Sequence, residues 1–143
     1  MNLAYPATLS KLENGDIMAR FRDVPEAITC GESREGALEM AQDALTVALS
    51  AYLDDHRDIP KPSIPKRGQS LVELSPLVKL KLEIYQTMRD QGITITELAR
   101  RMSRDRSQIR RLLNLDHHSR MDQIETALLA VGKKLVVEAQ DVA

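Results

Sequence analysis

The sequence predicts an α+β protein in two parts: a β-β-β-α-β arrangement over residues 1–75, then an all-α arrangement with a short terminal strand over 76–143. Apolar residues alternate with period two near the start of the chain and recur at helical spacing afterwards. A helix restarts cleanly at Ser75-Pro76, just beyond prolines 60, 62 and 65. The charge divides at nearly the same place. Residues 1–66 hold 7 Lys/Arg against 11 Asp/Glu, net -4, and residues 67–143 hold 13 against 10, net +3, which leaves -1 for the chain.

Leu3, Tyr5, Ala7 and Leu9 share one strand face, and Ile17, Ala19 and Phe21 share another. Asn14-Gly15 between them predicts a two-residue type I′ hairpin turn. Pro6 lacks a ladder donor, so the first strand is expected at an edge or unpaired at that point. A third strand is expected over Ala27–Cys30. Ser33 then caps a helix whose Ala37, Ala41, Ala44, Leu45, Ala48, Leu49 and Tyr52 form one apolar face, close enough in side-chain size to lie on a sheet. "SLVEL" (70–74) reads as a strand with apolar groups on both faces. In the second part, Leu77, Leu80, Ile84 and Met88 form a helical stripe ended by Gly92. Thr94 with Glu97 and Asp105 with Gln108 are capping-box pairs for two further short helices. Ser119 is the expected cap of a last helix carrying Ile124, Leu128 and Val131, and "KLVVEA" (134–139) reads as the terminal strand.

Hydrophobic content of 43% fits a folded chain. No stretch of eighteen apolar residues could span a bilayer, and the first residues lack the basic and apolar regions of a signal peptide. A single cysteine, Cys30, allows no intrachain disulfide and is expected to be a small buried side chain. A cytoplasmic protein is the expectation.

Residues 100–111 hold six arginines against one acid, Asp105. Leu98 and Met102, then Ile109 and Leu112, place apolar groups inward on two short helices, and Ala99 permits their close approach. This is the pattern of a helix-turn-helix, whose second helix presents its first residues to major-groove base edges. Arg106 and Arg110 are i,i+4 neighbours on the outer face. Arginine reads guanine in bidentate fashion, and Gln108 could read adenine if its cap leaves it free. The candidate DNA-binding set is Arg104, Arg106, Ser107, Gln108, Arg110 and Arg111. Serine at 103 stands where helix-turn-helix proteins of the Cro/phage-repressor type usually carry glycine, because the turn there wants a positive φ, and Arg104 replaces a usual apolar residue. One such motif reaches few base pairs, so a homodimer or higher homo-oligomer on double-stranded operator DNA is expected, with the 134–139 strand available either to pair between copies or to pack within its own chain.

The β-β-β-α-β order is compatible with a partial ribonuclease H-like domain. A nuclease of that kind needs clustered carboxylates on metal. The first strand has no acid, and Asp16, Asp23 and Glu26 are scattered at strand ends. His56, His117 and His118 read as exposed loop residues. No catalytic residue, metal site or cofactor site is expected.

"DIMARFRDVPEAITCGESREGALEMAQDAL" (16–45) resembles the signature of the HicB antitoxins, with Phe21, Asp23, Pro25, Thr29, Gly31, Ser33, Ala37, Ala41 and Leu45 in the pattern's places. Gly36 departs from it, since glutamate is usual there. The resemblance continues through "ELARRMSRDRSQIRRLLNLDHHSRMDQIETALLAVGKKL" (97–135) and so covers nearly the whole chain. It implies an antitoxin, not an enzyme, of a type II pair. Its 1–75 domain would bind and block a small basic HicA-like ribonuclease, and its 76–143 domain would repress the operon. Toxin-contact residues are not assigned from sequence. The alternative is a stand-alone helix-turn-helix transcription factor with a small-molecule-sensing N-terminal domain; an active nuclease of the same fold would require the missing acids.

Overall fold

Residues 2–143 are described by a computed structural model. The first alternating runs form strands β1 (Ala4–Lys11) and β2 (Ile17–Phe21), followed by β3 (Ile28–Gly31), helix α1 (Arg34–Asp54) and β4 (Ser70–Glu73). The expected β-β-β-α-β order is observed. Four helices follow, α2 (Pro76–Gln91), α3 (Ile95–Met102), α4 (Arg106–Leu113) and α5 (Met121–Ala130). The chain divides into two compact units, Met1–Lys79 and Leu80–Ala143. The division falls slightly beyond 75 because the first turn of α2 belongs to the first unit. Val78 is buried there, and Lys79 pairs with Glu73 at 3.6 Å.

In the first unit the sheet order is β3-β2-β1-β4, with every pairing antiparallel. The β1–β2 turn differs from the expected two-residue type. Leu12 N–H donates to Asp16 O at 2.8 Å and Gly15 N–H to Leu12 O at 3.0 Å, and only Gly15 has a positive φ, +91°. That is a three-residue loop with a glycine bulge, which needs one left-handed residue where type I′ needs two. Pro6 does not make β1 an edge. Pairing with β2 spans Ala7–Lys11 and pairing with β4 spans Ala4–Ala7, so Pro6 has a strand on one side only.

α1 covers the sheet face that carries Tyr5, Ala7, Ala19, Phe21 and Val72. Its own Ala37, Ala41, Leu45, Ala48 and Leu49 are buried. Burying Leu45 and Leu49 stabilises the unit by about 1.5–3 kcal/mol each relative to exposure. The alanines let helix and sheet approach closely, most of all at Gly31. A Cβ built there would lie 2.3 Å from the Ala37 backbone nitrogen, so only glycine fits. Two expectations for this sheet fail. β4 is buried on one face only, since Leu71 is 54% exposed, and Cys30 is exposed on edge strand β3. Both side chains point to the second sheet face, where Ala4 and Pro6 of β1 are buried but these two positions are left open.

Residues 55–69 carry the chain from the end of α1 to β4. A direct strand–helix–strand crossover would make β4 parallel to its neighbour; this longer proline-containing path lets it return antiparallel. The path is tied down by polar contacts. Tyr5 OH donates to Pro60 O at 2.7 Å, and Asp23 Oδ2 accepts from both Ser63 N–H and Ser63 Oγ at 2.9 Å. Arg57 lies over the Tyr52 ring at 3.9 Å, and both side chains donate to Glu26.

In the second unit, α2 is buried around more of its circumference than one stripe. Lys81, Leu82, Ile84, Tyr85 and Met88 are buried, whereas Leu77 and Leu80 are only partly so. α5 does not use Ser119 as its cap. Ser119 is buried against His117 Nδ1 at 3.1 Å, and the helix begins after Arg120. The expected strand at 134–139 does not form. Val136 and Val137 are 80% and 75% exposed, and among the described residues no strand pairs with them.

Candidate nucleic-acid interface

α3 and α4 are each eight residues long and are joined by Ser103, Arg104 and Asp105. Helices this short are unstable alone, so their ends must be held. Thr94 Oγ1 accepts from Glu97 N–H at 3.0 Å and starts α3. Ser103 ends it in the left-handed conformation, φ 53° and ψ 47°, so the turn does take the positive φ that glycine would supply without strain. Arg104 N–H then donates to Ala99 O at 2.9 Å, closing the turn. Leu98, Ala99, Ile109 and Leu112 are buried between the helices, as the sequence pattern requires.

The six arginines of the run fall into two groups. Glu97 takes two of them. Its carboxylate accepts from Arg100 Nε and Nη2 at 2.9 and 2.6 Å and from Arg101 Nε at 3.0 Å, and these bonds lower its pKa to about 2. Thr94 and Glu97 therefore make only half of a capping box. Arg104, Arg106, Arg110 and Arg111 are exposed, and among the described residues none of their side chains has a hydrogen-bond or ion-pair partner. With about 100° per residue, Ser107 lies centrally on the outer face of α4, Arg106 and Arg110 lie on one flank, and Gln108 and Arg111 on the other. Gln108 is half-buried. Its Oε1 accepts from Asp105 N–H at 3.1 Å, which takes the acceptor that bidentate adenine reading requires and leaves Nε2 to donate.

The C-terminal end of α4 is held by a residue the sequence reading passed over. Lys81 is fully buried, and its Nζ donates to the carbonyls of Arg111, Asn114 and His117 at 3.1, 2.7 and 2.7 Å. The ammonium meets the negative end of the α4 dipole, while burial pushes its pKa down to about 8. Nothing local marked it out: Lys81 stands between Leu80 and Leu82, but Lys79 and Glu83 lie just beyond them, so the stretch reads as a mixed helix face. His117 and His118 are exposed in the loop before α5, and His56 is exposed with φ 54°.

The first unit converges on no comparable polar group. Asp23 and Glu26 are engaged in tethering residues 57–63, and among the described residues no cluster of three or more His, Cys, Asp or Glu could hold a metal. No helix among the described residues is long and apolar enough to cross a membrane.

A family described as HicB_like antitoxin of bacterial toxin–antitoxin system matches residues 4–83. Antitoxin HicB 2 of Photorhabdus laumondii is 38% identical over 138 residues, covering 96% of this chain and 97% of that protein. Antitoxin HicB of Escherichia coli strain K12 is 37% identical over 133 residues, covering 93% and 96%. Antitoxin HicB of Pseudomonas fluorescens is 32% identical over 129 residues, covering 90% and 88%. The matches run through the sheet unit and the arginine-bearing helices alike, and the chain therefore belongs to the HicB antitoxin family of bacterial toxin–antitoxin systems, as a non-catalytic regulator.

Proposed function

We propose that this antitoxin represses its own operon by binding operator DNA through α3 and α4, a helix-turn-helix of the Cro/phage-repressor type. Through its first unit it neutralises a small basic messenger-RNA-cleaving toxin of the HicA kind. One observation carries the DNA reading: four arginines, three on α4 and one in the turn before it, stand exposed and unpaired, while the carboxylate of α3 is spent on two others. A concentrated patch of one sign attracts an oppositely charged partner, and a polyanion fits this one. Arg106, Arg110 and Ser107 face base edges and phosphates; Arg104 and Arg111 take phosphates; Gln108 shapes the start of α4 and donates through Nε2. The protein acts in the cytoplasm as a homodimer or higher homo-oligomer, and residues 134–139, unpaired in the single chain, are available to join two copies. For toxin binding, the support is the net charge of -4 over residues 1–66, which would steer a basic partner.

The test is direct binding to the DNA upstream of its own gene. The unmodified chain is expected to bind this duplex in preference to random sequence. Arg106→Ala with Arg110→Ala should cost about 1–3 kcal/mol for each base-reading contact removed. Unchanged affinity in the double variant would overturn the interface. Co-expression with the small adjacent open reading frame tests the other half: growth arrest relieved by this chain supports neutralisation, and arrest that persists removes it.

A further inference from the structure

Beside α4 the second unit has a concavity that the helix pair alone does not account for. It lies between α4, the loop 114–120 and the first turn of α5, with a volume of about 200 Å³, and is lined by Gln108, Arg111, His117, His118, Arg120 and Gln123. Every lining side chain carries or can carry an N–H donor, and none is a carboxylate. The side chains of Arg111, His118 and Gln123 have no hydrogen-bond partner among the described residues. His117 Nδ1 meets Ser119 Oγ at 3.1 Å. One acid touches the rim: Arg120 Nη2 donates to Asp122 Oδ2 at 3.0 Å, which leaves the rest of its guanidinium free.

The backbone behind this pocket is fixed. Lys81 binds the carbonyls of Arg111, Asn114 and His117, so two of the six lining residues are held by a single buried ammonium. Rigid backbone with unpaired donors converging from a helix, a loop and a second helix suits a tetrahedral anion. A liquid water occupies about 30 Å³, so the volume accommodates a phosphate group with some of its water. Arg111 belongs both to this pocket and to the outer face of α4. An anion held here lies directly alongside the surface that carries the unpaired arginines.

We propose that this pocket is a backbone-phosphate site, which holds a phosphodiester of the operator beside the bases that α4 reads. The proposal rests on the DNA-binding reading and extends it past the helix pair, to His117, His118, Arg120 and Gln123. Its contribution is independent of base sequence: it sets register and orientation, and leaves discrimination to α4.

The test compares the full chain with His118→Ala/Arg120→Ala, both residues being exposed, on the upstream duplex and on a random-sequence duplex over a range of salt. One lost phosphate contact should reduce the salt slope by about one unit and weaken binding on the order of tenfold. The loss should be equal on both duplexes, leaving the preference between them unchanged. Replacing single phosphates of the upstream duplex by uncharged methylphosphonate should reveal one position whose loss weakens the unmodified chain but not the variant. Unchanged slope and affinity in the variant, with Arg106→Ala/Arg110→Ala still impaired, overturns the pocket and keeps the helix reading. Saturable binding of inorganic phosphate, lost in the variant while its DNA salt slope stays intact, overturns it in favour of a free small anion. Absence of DNA binding by the unmodified chain overturns the pocket together with the reading beneath it.

Discussion

In the first unit a 21-residue helix lies on a sheet through alanines, and its closest approach is glycine against backbone. In the second, eight-residue helices are held at their ends by single polar groups: Thr94, Ser103, Gln108 and Lys81. The first unit thus depends on area and fit, the second on a few clamps. The difference follows from what each leaves on its surface. A long helix on a sheet can give one whole face to the core and keep its acids outside. A short helix that must show three arginines, with a fourth in the turn before it, has little apolar surface left, so its ends have to be fixed by hydrogen bonds.

The comparison is broken most severely at Gly31. Gly31→Ala would put a Cβ against the backbone of Gly36 and Ala37, where no flexible side chain can yield. A loss of about 3 kcal/mol is expected, the upper range for overpacking. Hydrogen exchange should localise the loosening to residues 2–79 and leave α3 and α4 protected. Equal loosening of both units would show that they share one cooperative core.

The matching break in the second unit is Lys81→Met, which keeps the volume and removes three donated bonds. Each of the three carbonyls still accepts a backbone N–H, from Asn114, His117 and Ser119 respectively, so none is orphaned. A cost of about 2 kcal/mol is expected, typical of losing bonds to a charged donor. The exchange protection lost should be that of α4 and the following loop. A variant as stable as the parent would mean that packing, not the ammonium, holds this end.

Ser103→Gly should act in the opposite direction. A left-handed residue with a Cβ costs about 1–2 kcal/mol, and glycine relieves this at the expense of a more flexible unfolded chain. A net gain of about 0.5–1 kcal/mol in denaturant is expected, with operator affinity retained. This position also shows what the sequence can disclose. The need for positive φ at 103 was legible from the resemblance to helix-turn-helix proteins, which usually carry glycine there. The element order, the α1 face and the stop at Gly92 were legible for a local reason, periodicity and end signals. What escaped was non-local or two-sided. Lys81 meets carbonyls 30, 33 and 36 residues away, so no window contains the clamp. The pocket beside α4 joins three elements, and only two of its six residues lie in the arginine run. Cys30 and Leu71 suited burial by residue type, but nothing in either strand says that its part of the second sheet face is left open. The terminal valines alternate as a strand should, yet a strand also needs a neighbour.

The smallest effect concerns the two groups of arginines. Glu97 has a folded pKa near 2 against an ordinary 4.5, lowered chiefly by its bonds from Arg100 and Arg101. Folding therefore favours the carboxylate over the acid. Its stabilisation is fully present above about pH 4.5 and is lost as pH falls toward 2, because the unfolded chain binds the proton first. Glu97→Gln should remove that slope. The stabilities of parent and variant should differ above pH 4.5 and converge near pH 2, by a small amount, since exposed ion pairs contribute little. The same substitution removes the carboxylate that offsets the charge of Arg100 and Arg101, although Arg101 Nη1 still donates to Ala130 O at 2.9 Å. If pairing is what keeps those two from attracting DNA indiscriminately, Glu97→Gln should bind random duplex somewhat more tightly at low salt, with no gain in preference for the upstream sequence. A gain in preference would instead place Arg100 or Arg101 at base edges, and the division between paired and reading arginines would fall.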